Sequence, residues 1–201
     1  MYVIINRKYF KREGMSMEDN KIIDMYWERS QEAIVQTDIK YGKYCRYIAS
    51  NILKSKEDGE ECVNDTYLKA WDMMPPTRPQ VLSAFLGKIT RNLSLDRFRQ
   101  GKAKKRGGGQ VVYVLEELKE CVPANNNVEN IIDEMVLVET LNKFLSGLDE
   151  EKRKIFIRRY WYMSSVREIA NEYEFTVSKV KMVLSRVRND LKELLEREGI
   201  M

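Results

Sequence analysis

Histidine is absent from all 201 residues. That removes the commonest general base, the usual partner of a nucleophilic serine or cysteine, and the commonest metal ligand. No catalytic site, metal or cofactor is expected. Cysteine is scarce as well: Cys45, Cys62 and Cys121 lie far apart, without the paired spacing of a zinc site or a redox dithiol, and an odd number suits no disulfide framework. They read as reduced thiols in a cytoplasmic protein. Long apolar runs are missing too, because charges interrupt every apolar segment before it approaches the roughly 20 residues that span a bilayer. No membrane association is expected. The opening Met1–Phe10 is only briefly apolar and is followed by Lys11, Arg12 and Glu13, without the long apolar stretch and cleavage site of a signal peptide. Residues 1–16 are set aside as an N-terminal extension, with no role assignable to 1–14. Charge of one sign is not abundant either. A formal net charge of +4 identifies no nucleic-acid binder by itself, so the placement of the charges has to carry the reading.

Apolar residues recur at the helical period almost throughout, predicting helices at about 17–34, 37–54, 59–73, 80–100, 130–146, 149–162, 165–173 and 176–197. The fold class expected is all-α. Only 111–115 hints at the alternation of a strand. Pro75, Pro76 and Pro79 separate the third helix from the fourth, since proline lacks the amide donor and disfavours helix in the residue before it. Between 105 and 129 the chain turns basic and glycine-bearing, then reads VVYVLEELKECVP, then Asn125, Asn126 and Asn127, a composition that predicts a linker. Two small helical domains are therefore expected, 17–104 and 130–201.

In the second domain, Ser165-Val-Arg-Glu168 has the form of a capping box, in which serine and glutamate satisfy each other's orphan amides. A short helix should start there. Thr176 can cap a following helix whose Val177, Val180, Leu184, Val187 and Leu191 make one apolar stripe. Two helices so closely joined form a helix-turn-helix. Successive residues turn by about 100°, which places Ser178, Lys179, Met182, Ser185 and Arg186 opposite the stripe, with Lys181 and Arg188 on its flanks. Acids are absent from this helix until Asp190. Short polar and cationic side chains can meet base edges and phosphates, so this face is suited to a major groove. Glu174 occupies the turn position that glycine would take most easily, at a cost of ~1 kcal/mol.

In the first domain, Cys62, Val63, Tyr67, Ala70, Trp71 and Met74 share a helical spacing that leaves Glu61, Asn64, Asp65 and Asp72 on other faces. Trp71 reads as core. The acids fit either a solvated face or a surface for a basic partner helix. The helix from Gln80 buries Leu82, Phe85, Leu86, Ile89 and Leu93. Another of its sides carries Lys88, Arg91, Asn92 and Arg99, continued by Lys102, Lys104, Lys105 and Arg106. Such a run suits the neutralisation of phosphates, with Trp71 and Phe98 near enough to support unstacked bases.

Taken in order, EDGEECVNDTYLKAWDMM, SAFLGKITRNLSLDRFR and LDEEKRKIFIRRYWYMSSVREIANEYEFTVSKVKMVLSRVRNDLKEL resemble bacterial sigma factors of the extracytoplasmic-function type across residues 28–197. The resemblance implies a dissociable transcription-initiation subunit with a region 2-like and a region 4-like domain. It implies that positions matching Asp58, Glu61, Asn64, Asp65 and Lys69 bind the clamp helices of core RNA polymerase. It implies that the Pro75–Ser83 loop with Arg78, together with Lys88, Arg91, Asn92 and Arg99, reads and melts the minus-ten element of promoter DNA. The helix bearing Ser178, Lys179, Lys181, Ser185, Arg186 and Arg188 would read the minus-thirty-five element as duplex. The linker would thread toward the active-site and RNA-exit channels of the polymerase. An anti-sigma factor is a further partner the family admits, although no residue here points to one. Three departures stand out: Glu174 in the turn, Val183 where the family often has an arginine, which would remove one phosphate contact, and the Pro-Pro-Thr-Arg-Pro loop at 75–79, which differs from commoner versions and leaves the identity of the flipped base open.

Two other readings are open to the residues alone. A stand-alone, dimeric helix-turn-helix regulator would bind duplex without polymerase. An enzyme working on nucleic acid would need a carboxylate pair such as Glu116 and Glu117 with magnesium.

Overall fold

The computed structural model describes residues 17–104, 110–119 and 131–200, the side chains of 101–104, 110 and 131–136 excepted. Among them there is no strand. The helices are α1 (Asp19–Trp27), α2 (Glu32–Leu53), α3 (Lys56–Met73), α4 (Leu82–Lys104), α5 (Gln110–Lys119), α6 (Ile131–Gly147), α7 (Glu150–Tyr160), α8 (Val166–Glu172) and α9 (Val177–Arg197). The all-α class expected from the periodicity is the class observed. α1–α4 form one compact unit and α5–α9 another.

In the N-terminal unit, α2, α3 and α4 pack mutually and α1 lies along α2. The core is built from Ile22, Tyr26, Ile48, Ile52, Cys62, Tyr67, Met74, Leu82 and Leu86. Gly87 lets α4 approach α2 closely: a Cβ there would stand 2.4 Å from the Tyr44 hydroxyl. The proline-bearing stretch ends α3 and precedes α4, as expected from proline's missing donor. The first helical boundary differs from the predicted one. α1 closes at Trp27 and the chain turns at Arg29, which has φ +58°. Arg29 donates to the Trp71 carbonyl at 2.8 Å and stacks its guanidinium on the Trp71 ring, a contact spanning 42 residues. Periodicity sees only local neighbours, so it ran α1 through this turn. Trp71, half-buried and edge-on to Tyr26 at 6.2 Å, belongs to the packing, as read.

In the C-terminal unit, α7 is capped by Asp149, whose carboxylate accepts from the Lys152 amide at 2.8 Å. It buries Ile155, Phe156, Ile157 and Tyr160 against α8 and α9. Phe144 of α6 meets Phe156 edge-on.

The segment expected as a linker requires a correction. Its middle is α5, which packs on α7 with Val111 and Val114 buried one turn apart. Ten residues beside a glycine run carry too few turns for the periodicity to declare itself, and the helix is held by tertiary contacts instead. Lys105, Arg106, Cys121, Asn125, Asn126, Asn127 and the extension 1–16 lie outside the described residues.

Candidate nucleic-acid interface and docking face

The helix-turn-helix is assembled by local hydrogen bonds that the sequence announces. Ser165 Oγ accepts from the Glu168 amide at 3.0 Å and Glu168 Oε2 accepts from the Ser165 amide at 2.6 Å, a complete capping box. Glu174 takes φ +56°, the left-handed conformation anticipated for the turn. Thr176 Oγ1 accepts from the Lys179 amide at 3.1 Å and starts α9. Val180, Val183, Leu184, Val187, Leu191 and Leu195 are then buried. Val177, expected in this stripe, stands 39% exposed at the helix start.

The opposite side of α9 is polar and open. Ser178, Lys181, Met182, Ser185 and Arg186 are exposed, and Asn189 joins them from the same side. The sequence reading omitted Asn189, although the 100° rule would have included it. Lys179 is half-buried: its Nζ donates to Glu151 Oε2 at 2.8 Å and lies 3.8 Å from the centre of the Phe175 ring. Arg188 does not join the face. Its Nη1 donates to the Tyr160 hydroxyl at 2.9 Å and lies 3.7 Å from the Glu117 carboxylate, an ion pair beyond hydrogen-bond distance. Val183 is buried in the stripe, 7% exposed, with its side chain toward the core.

In the N-terminal unit, Ser55 caps α3 by accepting from the Asp58 amide at 3.2 Å. The helical period then brings Asp58, Glu61, Asp65 and Lys69 to one face, with Asn64 at its margin. All are exposed except Asp65, which is partly so. Leu68, 59% exposed, sits among them. An apolar side chain surrounded by acids is a feature of docking patches that the charge pattern alone did not reveal. Arg97 of α4 was likewise not foreseen. Its Nη1 donates to Glu61 Oε2 at 2.8 Å and its Nη2 to Asp65. The Arg97 hydrogen bond, then its charge, hold Glu61 below the usual carboxylate range. No local signal could have paired residues 36 apart.

The same helix carries Lys88, Asn92 and Arg99 exposed on one side, with Arg99 braced by Asp96 at 3.1 Å. Arg91, expected beside them, is half-buried, and desolvation followed by the charge of Arg99 pushes its pKa down to about 10. It is still cationic at neutral pH. Arg78, in the turn before α4, is exposed but oriented: it bonds Asp24 at 2.6 Å and lies over the Trp27 ring at 5.9 Å. Basic positions 102, 104, 105 and 106 lie outside the described side chains. Glu116 and Glu117 do not form a carboxylate pair, since Glu116 is exposed whereas Glu117 is turned into Arg159.

The geometry thus defines a helix-turn-helix unit with an open polar and cationic face, and a separate helical unit with an acidic face and a cationic side. Comparison with known families places both. Residues 40–104 match the family model for sigma-70 region 2, and residues 144–193 match sigma-70 region 4. Together these segments span more than half of the chain, which belongs to the sigma-70 family as a two-region factor of transcription initiation. A solved structure of CnrH in complex with the cytosolic domain of CnrY is similar at 20% identity, covering 89% of this chain and 97% of that one, with a TM-score of 0.40. No curated protein sequence matches the chain. α5 falls in neither matched segment.

Proposed function

We propose that the chain associates with core RNA polymerase through the α3 face, engages the minus-ten element with α4 and the preceding turn, and reads the minus-thirty-five element with α9. The observation that carries this reading is the order of two matched regions, each presenting a suitable surface. Asp58, Glu61, Asp65 and Leu68 offer charge and an apolar anchor to a basic helix. Lys88, Asn92, Arg99 and Arg78 offer cations to a phosphate backbone, and capture of an unstacked base would offset the few kcal/mol of unpairing. Ser178, Lys181, Ser185 and Arg186 offer contacts to the edges and backbone of a duplex. Lys179 joins them on release from Glu151. One polymerase-bound factor holding two short DNA segments strengthens each contact through effective concentration, so neither half needs high affinity alone. The functional division follows regions 17–104 and 130–201, with α5 added to the second.

Run-off transcription with sigma-free core polymerase on a pool of genomic promoter fragments tests the reading. Discrete start sites that appear only with the protein are expected. Lys181→Ala with Arg186→Ala should reduce transcripts from promoters that depend on the upstream element while leaving polymerase capture intact. Leu68→Glu should reduce capture itself. Failure to produce new transcripts, with specific duplexes shifted in the absence of polymerase, would replace this reading by that of a stand-alone regulator.

A further inference from the structure

Arg188 lies two helical turns beyond Lys181, on the same flank of α9, yet it is held away from that flank's open side. Its Nη1 donates to the Tyr160 hydroxyl at 2.9 Å, and the same hydroxyl donates to Glu117 Oε2 at 3.2 Å. Arg188 Nη1 is itself 3.7 Å from that carboxylate oxygen. Glu117 also accepts from Arg159 Nε at 3.0 Å and Nη2 at 2.9 Å, and Arg159 has a further acceptor in the Ser164 carbonyl at 3.0 Å. The carboxylate of α5 therefore supplies the negative charge that a DNA phosphate would supply, to Arg159 by two hydrogen bonds and to Arg188 as an ion pair at 3.7 Å, relayed by the Tyr160 hydroxyl. Arg159 is 5% exposed and locked by its second acceptor. Arg188 is at the surface margin, on a long side chain, and is the one of the two that can swing outward. The segment bearing Glu117 lies outside both matched regions, so family membership does not account for the contact.

We propose that Glu117 sets the affinity of α9 for duplex DNA by competing with phosphate for Arg188, so that departure of α5 adds one phosphate contact next to Lys181. This rests on the reading of α9 as a duplex-binding helix. Glu117 acts through Arg188 and is a positioning residue. A purely structural ion pair would alter stability when broken, but not the number of phosphates the protein neutralises. That number is read from the slope of log affinity against log salt concentration, which changes by about 0.9 for each contact to B-form DNA.

The experiment is an anisotropy titration of the full chain against a short duplex carrying the upstream element, repeated over a range of salt. Glu117→Ala should steepen the slope by about 0.9, and adding Arg188→Ala should remove the increment. If Glu117→Ala leaves the C-terminal unit unfolded, Glu117→Gln is read in the same way, since it keeps an acceptor for Arg159 but no charge for Arg188. A second readout needs no DNA: reaction of arginines with a dicarbonyl reagent, followed by mass spectrometry. Arg188 should react several-fold faster once Glu117 is replaced. A folded variant whose salt slope is unchanged, or whose Arg188 reacts at the parent rate, overturns the proposal. A parent chain that binds no duplex while Arg188 is freed by the substitution removes the DNA role of α9, and with it the reading on which the proposal rests.

Discussion

The two units bury polarity in opposite ways. In the N-terminal unit it is carried by hydroxyls and a thiol: Tyr26 with Thr37 at 3.0 Å, Thr66 with Thr90 at 3.2 Å, and Cys62 with Ser94 at 3.2 Å. Each threonine or serine of the Thr66–Thr90–Ser94 group also donates to a carbonyl one turn back on its own helix. In the C-terminal unit it is carried by arginines, with Arg158 paired to Glu172 of α8 and Arg159 to Glu117 of α5. A hydroxyl brings little charge into the core and finds an acceptor within its own turn. A guanidinium brings a full charge and depends on an acid from another element. The first unit should therefore tolerate single polar changes better than the second, whose α5 and α8 are tied to α7 by ion pairs that are costly to half remove.

The sharpest test of that contrast is Glu172→Ala. Arg158 is only 8% exposed and would lose its carboxylate, so the C-terminal unit should be destabilised by about 3 kcal/mol. Hydrogen exchange read by mass spectrometry, which separates the two units, should show faster opening in α7–α9 and unchanged rates in α1–α4. The counterpart in the other unit is Thr66→Val, which removes one buried hydroxyl at nearly constant shape. Its expected cost is about 1 kcal/mol, seen as a lower urea midpoint at unchanged slope. A cost as large as that of Glu172→Ala would erase the distinction.

Acidification should produce the smallest effect and should be felt at Glu117. Burial alone would raise its pKa, but the hydrogen bonds from Arg159 and the charges of Arg159 and Arg188 outweigh burial and hold it below the ordinary value. A carboxylate lowered in the folded state contributes stability that is fully present above its unfolded pKa, about 4.3, and is lost as the pH falls through the folded value. Thermal melting of the C-terminal unit should therefore fall on going from neutral pH to below that window, and Glu117→Gln should flatten the decline. A Gln variant with an unchanged pH profile would show that the pair contributes nothing through its charge.

Residues of α9 illustrate how much of the candidate site could be read in advance. Thr176 at its cap, the Ser165–Glu168 box before it and the left-handed Glu174 are decided within a few residues of chain, and all were legible. So was the separation of Ser178, Lys181, Ser185 and Arg186 from the buried stripe. Arg188 was placed on the flank correctly by angle but not by direction, since its long side chain can reach either way and the choice depends on Tyr160, 28 residues earlier. Arg97 and Leu68 in the N-terminal unit escaped notice for related reasons. Arg97 belongs by sequence to a cationic run and by structure to the acids of α3, and an exposed leucine in an acidic stretch looks like core until its neighbours are placed.

What the sequence by itself determined is the set of helices with strong periodicity, the breaks at Pro75 to Pro79, the caps, and the order of two regions that identifies the family. Those features rest on interactions within one or two turns, whose geometry is the same in any fold. Tertiary structure alone decided that α5 is a helix of the C-terminal unit, that Arg29 ends α1, and that Arg97, Arg158, Arg159 and Arg188 face acids or hydroxyls of other helices. A charged side chain of that length has many local rotamers of similar energy. The partner that selects one is brought near only when the helices pack, as with Glu117 and Arg159, 42 residues apart in the chain and 2.9 Å apart in space.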